Sequence, residues 1–271
     1  MICYSAIYCA IFGLALCFSG PAHSHEFWIE PEKYQVFSDT SLIADLRNGQ
    51  MFTGARLPYL DHNIARFDIV QHDKITPYAG RMGDLPALRL PNVQSGLLIA
   101  LHETTPDDIT YDSFEEFEAF ARDKGLGELS DPHLARGLPL AGFVEHYSRH
   151  TKLLVAVGDG AGTDRAFGLE GEFVVQANPY TSTLSSLPVR LLYQNKPRQE
   201  VQVEVFEKHS DGTVNKFLAL TDKDGLVEVP VIKGCRYLLN AVILRPSPAE
   251  TGAVWQTIWA SLVFAIPGAA Q

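Results

Sequence analysis

Val201-Gln202-Val203-Glu204-Val205 alternates apolar and polar residues with period two, the pattern of a β-strand with one buried and one wet face. Reading outward from it, short runs rich in Val, Ile, Leu, Phe and Tyr recur between clusters of Gly, Pro, Asn and Asp, and each reads as a strand. Toward the C-terminus these are 216–221, 237–244 and 258–264. Toward the N-terminus they are 189–194, 172–176, 151–157, 96–103, 66–71 and 41–46. The stretch 172–266 has about the length and turn spacing of an immunoglobulin-like β-sandwich. The fold expectation is therefore mostly β, with an N-terminal β-rich domain over 25–157 followed by an immunoglobulin-like domain over 172–266.

One segment has a different period. Ser113-Phe114-Glu115-Glu116 is a capping box, and Phe114, Phe117 and Ala121 follow at helical spacing, with Gly125 placed to end the element. This predicts an amphipathic helix over 113–124, packed on a sheet. Residues 126–142 read as an irregular connection with one short helical turn after Asp131-Pro132. Gly158-Asp159-Gly160-Ala161-Gly162-Thr163 lacks the third Gly and the following helix of a dinucleotide loop, and reads as a flexible connection between domains. Asp222-Lys223-Asp224-Gly225 lacks the downstream ligands of a calcium loop and reads as a tight turn.

Residues 1–24 contain no charged side chain, and 7–18 form an apolar run of signal-peptide length, too short for a membrane span. Cleavage after Ser24 would remove 24 of 271 residues, leave 247, and keep the whole formal charge of −10 on the mature chain. That charge argues against nucleic acid and anionic membranes as partners. It suits a protein exported to the periplasm with no membrane span of its own. Cys3, Cys9 and Cys17 leave with the leader. Cys235 alone remains, as a buried strand residue, so neither a disulfide nor a Cys-based metal site is expected.

No Gly-x-Ser-x-Gly elbow and no His-Glu-x-x-His helix is present, and the paired carboxylates sit in loops or at a helix start, so no enzyme is expected. The histidines carry the remaining chemistry. Cleavage after Ser24 would make His25 the first residue, and its α-amine (pKa about 7.7–8.0) and imidazole would chelate one ion. Nitrogen ligation suits Ni(II), Cu(II) or Zn(II), and excludes Ca(II) and Mg(II). His146 and His150 share a face by their spacing of four, and His102 closes an apolar strand beside Glu103. His62, His72, His133 and His209 lie in polar stretches and are expected at the surface.

The blocks His25-Glu26-Phe27-Trp28-Ile29-Glu30-Pro31, Phe52-Thr53-Gly54, Arg66-Phe67 and Gly80-Arg81-Met82-Gly83-Asp84 occur in that order. They are followed by Glu145-His146-Tyr147-Ser148-Arg149-His150-Thr151-Lys152, Ala177-Asn178-Pro179-Tyr180 and Leu191-Leu192-Tyr193-Gln194-Asn195-Lys196-Pro197. Thr221-Asp222-Lys223-Asp224-Gly225 and Trp259-Ala260-Ser261-Leu262 complete the series. Together they resemble a family of exported bacterial proteins catalogued as a domain of unknown function and labelled a nickel-uptake substrate-specific component. The resemblance spans essentially 25–266 and implies a periplasmic two-part β protein handling nickel or cobalt. Members linked to uptake systems can carry a C-terminal membrane helix, whereas here the chain closes with the short, proline-broken 264–271.

The expectation for function is a periplasmic binding protein that captures a divalent transition metal, Ni(II) or Co(II) by resemblance, for a membrane uptake system. His25 is the anchor, and His102, His146 and His150 are the candidates to complete the site. The rival is a metal-free sandwich that docks on an outer-membrane receptor or exported partner through its sheet edges. A third reading, a copper oxidase with an amino-terminal histidine brace, needs a second histidine and an open copper face.

Overall fold

The computed structural model describes residues 25–183 and 185–268. The leader, its cleavage site and the last three residues lie outside the described residues. Strands account for 52% of the chain and helices for 9%, so the mostly-β expectation holds.

In chain order the strands are β1 (Glu26–Pro31), β2 (Gln35–Val36), β3 (Thr40–Gln50), β4 (Thr53–Leu57), β5 (Ile64–Gln71), β6 (Lys74–Pro77), β7 (Leu88–Val93), β8 (Gly96–Thr104) and β9 (Asp107–Tyr111). Two helices follow, α1 (Phe114–Asp123) and α2 (Ser130–Ala135). The remaining strands are β10 (Phe143–Val157), β11 (Gly171–Val175), β12 (Ser186–Tyr193), β13 (Lys196–Pro197), β14 (Gln202–Lys208), β15 (Val214–Leu220), β16 (Leu226–Pro230), β17 (Arg236–Pro246) and β18 (Trp255–Ala265).

They form three layers. The middle layer is a ten-stranded sheet in the order β15-β14-β17-β18-β10-β8-β5-β6, with β2 and β9 also pairing with β10. A four-stranded sheet of β1, β3, β4 and β7 covers one face, and a second of β11, β12, β13 and β16 covers the other. The first interface buries Phe27, Ile29, Leu98, Ala100, Leu153 and Val263; the second buries Ile99, Leu154, Phe173, Val189, Val205 and Leu262. A middle sheet with apolar neighbours on both sides needs apolar residues at successive positions, which is why Leu97–Leu101 and Leu153–Val157 run without alternation.

The spine is β10. On one edge its first half pairs with β9 and its last residues with β8; on the other it runs parallel to β18, from Glu145↔Trp255 to Leu153↔Val263. The N-terminal and C-terminal halves therefore share one sheet. The loop at 158–163 is not a flexible linker. Asn178 Nδ2 donates to the Gly160 and Gly162 carbonyls at 2.8 and 2.9 Å. Just beyond it, Lys152 lies between Asp164 (3.0 Å) and Glu172 (2.7 Å), all three side chains fully buried.

The helix appears as expected. Ser113 is its cap, its Oγ accepting from the Glu116 N–H at 3.2 Å, and Phe117 and Ala121 are buried against Tyr111, Phe143 and Trp255. The 222–225 turn is also present, with Asp222 Oδ1 accepting from the N–H groups of Asp224 and Leu226. Val201–Val205 differs from its reading on one face. Glu204 is 1% exposed, because the first covering sheet and α1 close over it; Lys124 and Lys216 neutralise it and Asn240 donates a hydrogen bond to it.

Candidate functional site

Antiparallel pairing of β14 with β17 sets Glu207 opposite Tyr237 and Lys208 opposite Arg236, so the next residues out, His209 and Cys235, meet at the end of the pair. Glu207 and His209 are two apart and project to one face, the face that carries Val205 and Tyr237. One ligand atom from each of Glu207, His209 and Cys235 falls within 4.8 Å of the others, the single such group among the described residues.

The geometry is ordered from carboxylate to imidazole to thiol. His209 Nε2 lies 2.9 Å from Glu207 Oε1, and His209 Nδ1 lies 3.5 Å from Cys235 Sγ. Tyr237 donates its hydroxyl to Glu207 Oε2 at 2.7 Å, and Asn215 Nδ2 donates to Oε1 at 3.3 Å. Glu207 and Cys235 are buried, whereas the His209 side chain is 32% exposed and opens the site to solvent. Burial first, and the Glu207 carboxylate second, push the Cys235 thiol up, so at neutral pH it keeps its proton and donates toward Nδ1. Burial and the hydrogen bond to Glu207 push the Tyr237 phenol up in the same way, which keeps it a donor.

This set fits a borderline transition metal. An ion about 2.3 Å from a thiolate and about 2.0 Å from an imidazole nitrogen, in tetrahedral geometry, separates the two by roughly 3.5 Å. The Sγ–Nδ1 separation of 3.5 Å already matches that span, so an ion can replace the thiol proton without moving the backbone. Glu207 then stands behind the ring as the carboxylate that fixes its tautomer. The same order of groups also belongs to an activated cysteine nucleophile. A nucleophile needs access and a lowered pKa. Cys235 is 3% exposed and its thiol is raised, so it does not meet those needs.

The four histidines expected at a metal centre do not converge. His146 and His150 lie on β10, four residues and about 13 Å apart, too far to share an ion. His146 Nδ1 lies 2.5 Å from Asp108, and His150 is held by Ser148 at 3.0 Å and faces Glu103 at 3.6 Å. His102 faces the opposite side of the sheet, its ring 5.2 Å from Phe27 and 5.0 Å from Phe67. His25 immediately precedes β1, and alternation gives it the same face as Phe27.

Two of the expected surface histidines are different. His133 is fully buried, its nitrogens taken by the Pro139 carbonyl at 2.9 Å and Trp255 Nε1 at 3.0 Å, which makes it a structural pin between α2 and β18. His209 is the central residue of the group above. The sequence reading found no partner for the single cysteine; strand register brings His209 and Glu207 beside it. The one sequence signal was Glu207-x-His209, two donors on one strand face. Nothing in the order of residues ties that pair to Cys235, because β15 and β16 intervene.

A family model described as Domain of unknown function (DUF4198) matches residues 22–245. The chain belongs to that family. The matched region includes Glu207, His209 and Cys235, along with His25, His102, His146 and His150. No curated protein matches the chain. Among the described residues no helix is long and apolar enough to cross a membrane.

Proposed function

We propose that this DUF4198 protein is an exported metal-binding protein that holds a divalent transition-metal ion between Cys235 Sγ and His209 Nδ1, with Glu207 orienting the imidazole. The observation that carries the reading is the convergence of Glu207, His209 and Cys235 within 4.8 Å, with the half-exposed His209 as the route in. Sulfur and nitrogen donors favour Zn(II), Co(II), Ni(II) or Cu(II) over Ca(II) and Mg(II). Delivery of nickel or cobalt to an uptake system is the role the family resemblance implies.

The test is titration with Co(II), Ni(II) and Zn(II), read by calorimetry and by thiolate-to-Co(II) charge-transfer absorption. Binding with that absorption is expected, abolished by Cys235→Ser and weakened about 10- to 100-fold by Glu207→Gln. Binding that ignores Cys235→Ser sinks this site. The same titration on a chain starting at His25, against one extended by a single Ala, decides whether the amino terminus chelates instead.

The second reading, a metal-free docking module, is supported by the edge strand β15, which exposes Leu218 (56%) and Leu220 (64%) on one face. Absence of any metal binding would favour it.

A further inference from the structure

A cavity of about 260 Å³ opens where the first covering sheet meets the middle sheet at the β8–β9 turn, far from Cys235 in the chain and on the other face of the middle sheet. Its walls are apolar where Phe27, Leu46 and Leu57 line it, and polar where His102, Tyr147 and Arg149 do. His102 is 1% exposed, and neither of its ring nitrogens has a hydrogen-bond partner. Buried polar side chains nearly always have such partners, so an unpartnered imidazole lining a cavity points to a ligand that accepts its N–H. Arg149 adds charge. Its Nε is buried without a hydrogen bond, and its guanidinium lies 4.5 Å over the Tyr147 ring. Among the described residues no carboxylate comes within ion-pair distance of that guanidinium.

We infer that this cavity binds a small organic monocarboxylate, its carboxylate on Arg149 and His102 and its short apolar body against Phe27, Leu46 and Leu57. The site is independent of the metal reading. A divalent cation is the wrong occupant, because Arg149 places a fixed positive charge there beside a single imidazole. The guanidinium fork matches a carboxylate in shape and charge. Burial, with His150's charge second, drives the His102 pKa down to about 3, so the ring is neutral at physiological pH and offers one donor and one acceptor. Arg149 acts electrostatically on Glu145, buried on the same strand face, and Asp107 stands at the mouth, where it accepts from the Tyr147 hydroxyl at 3.1 Å. The volume lies just below the roughly 300–1,000 Å³ of drug-sized pockets, which selects a compact ligand.

The test uses benzoate and butyrate as probes, with benzamide and butyramide as uncharged controls, followed by nitrogen and proton NMR of the full mature chain. Saturable binding of the carboxylates is expected, with shifts of the His102 ring nitrogens and of the Tyr147 and Phe27 rings. The amides should bind about tenfold more weakly or not at all. Arg149→Gln should remove that preference while the thermal transition stays cooperative. His102→Phe, which keeps an aromatic between Phe27 and Phe67, should weaken carboxylate binding without unfolding the protein. Equal binding of carboxylate and amide, no shift at His102, or an Arg149→Gln variant that binds as the parent does would each overturn the inference.

Discussion

Glu145 has no solvent exposure, and its carboxyl group takes hydrogen bonds from Tyr111 at 2.8 Å and from Thr257. Burial outweighs those bonds and raises its pKa from 4.5 to about 7. The folded state therefore keeps a proton that the unfolded chain releases, so this group makes stability fall as pH rises from about 4.5 to about 7, by roughly 3 kcal/mol in total. His102 acts with the opposite sign. Its folded pKa of about 3 lies below the ordinary 6.5, so stability is lost as pH falls through that window. Between about 4.5 and 6.5 the two slopes oppose each other. Stability from denaturant melts should rise more with pH across that window in Glu145→Gln than in the parent; an unchanged profile would refute the assignment. Lys152 offers a larger effect. Lys152→Met strands Asp164 and Glu172 as buried carboxylates and is expected to cost about 3–5 kcal/mol, while the triple replacement Lys152→Met, Asp164→Asn, Glu172→Gln recovers part of that loss.

Among the elements, α1 shows how far local rules reach. Its cap, its apolar face and its end were all legible, because each depends on residues within one or two turns. Ser113→Ala should cost about 1 kcal/mol by chemical denaturation. Gly125 has φ +64, and a Cβ there would lie 2.8 Å from the Gln202 Cβ, so Gly125→Ala should cost at least the 1–2 kcal/mol of the left-handed backbone. The β3–β4 hairpin breaks its local rule. Met51 and Phe52 have φ values of 52 and 53, where glycine or asparagine is usual. Burial of the Phe52 ring against Trp28, at 5.6 Å, holds the turn in that form. The first half of β10 was not legible as a strand, because Glu145-His146-Tyr147-Ser148-Arg149-His150 has no apolar alternation. Glu145, Ser148 and His150 are buried there, where hydrogen bonds do the work of apolar contacts.

For the whole molecule, the shared sheet sets the behaviour. The parallel β10–β18 pair joins segments more than a hundred residues apart, and both faces of that seam are covered. One cooperative transition is expected, with tryptophan fluorescence and far-ultraviolet circular dichroism superimposing on denaturation. Two separated transitions would mean that the halves are energetically independent. A fragment spanning 172–268 would expose the β18 edge and the apolar face that β10 and the first covering sheet protect. It should aggregate and show no cooperative melt.

The sequence by itself determined the strand-rich composition, the positions of β3, β5, β8, β11, β12, β14, β15, β17 and β18, the helix with its cap, and the 222–225 turn. These follow from periodicity and from local backbone chemistry, which act over a few residues. Tertiary structure alone decided that the halves share a sheet, that Glu204 is buried, and that Cys235 meets His209 rather than His25 meeting His146. Register between strands distant in the chain is fixed by the matching of apolar faces across three layers. That matching places donors from unrelated segments side by side, and no spacing within a single segment encodes it.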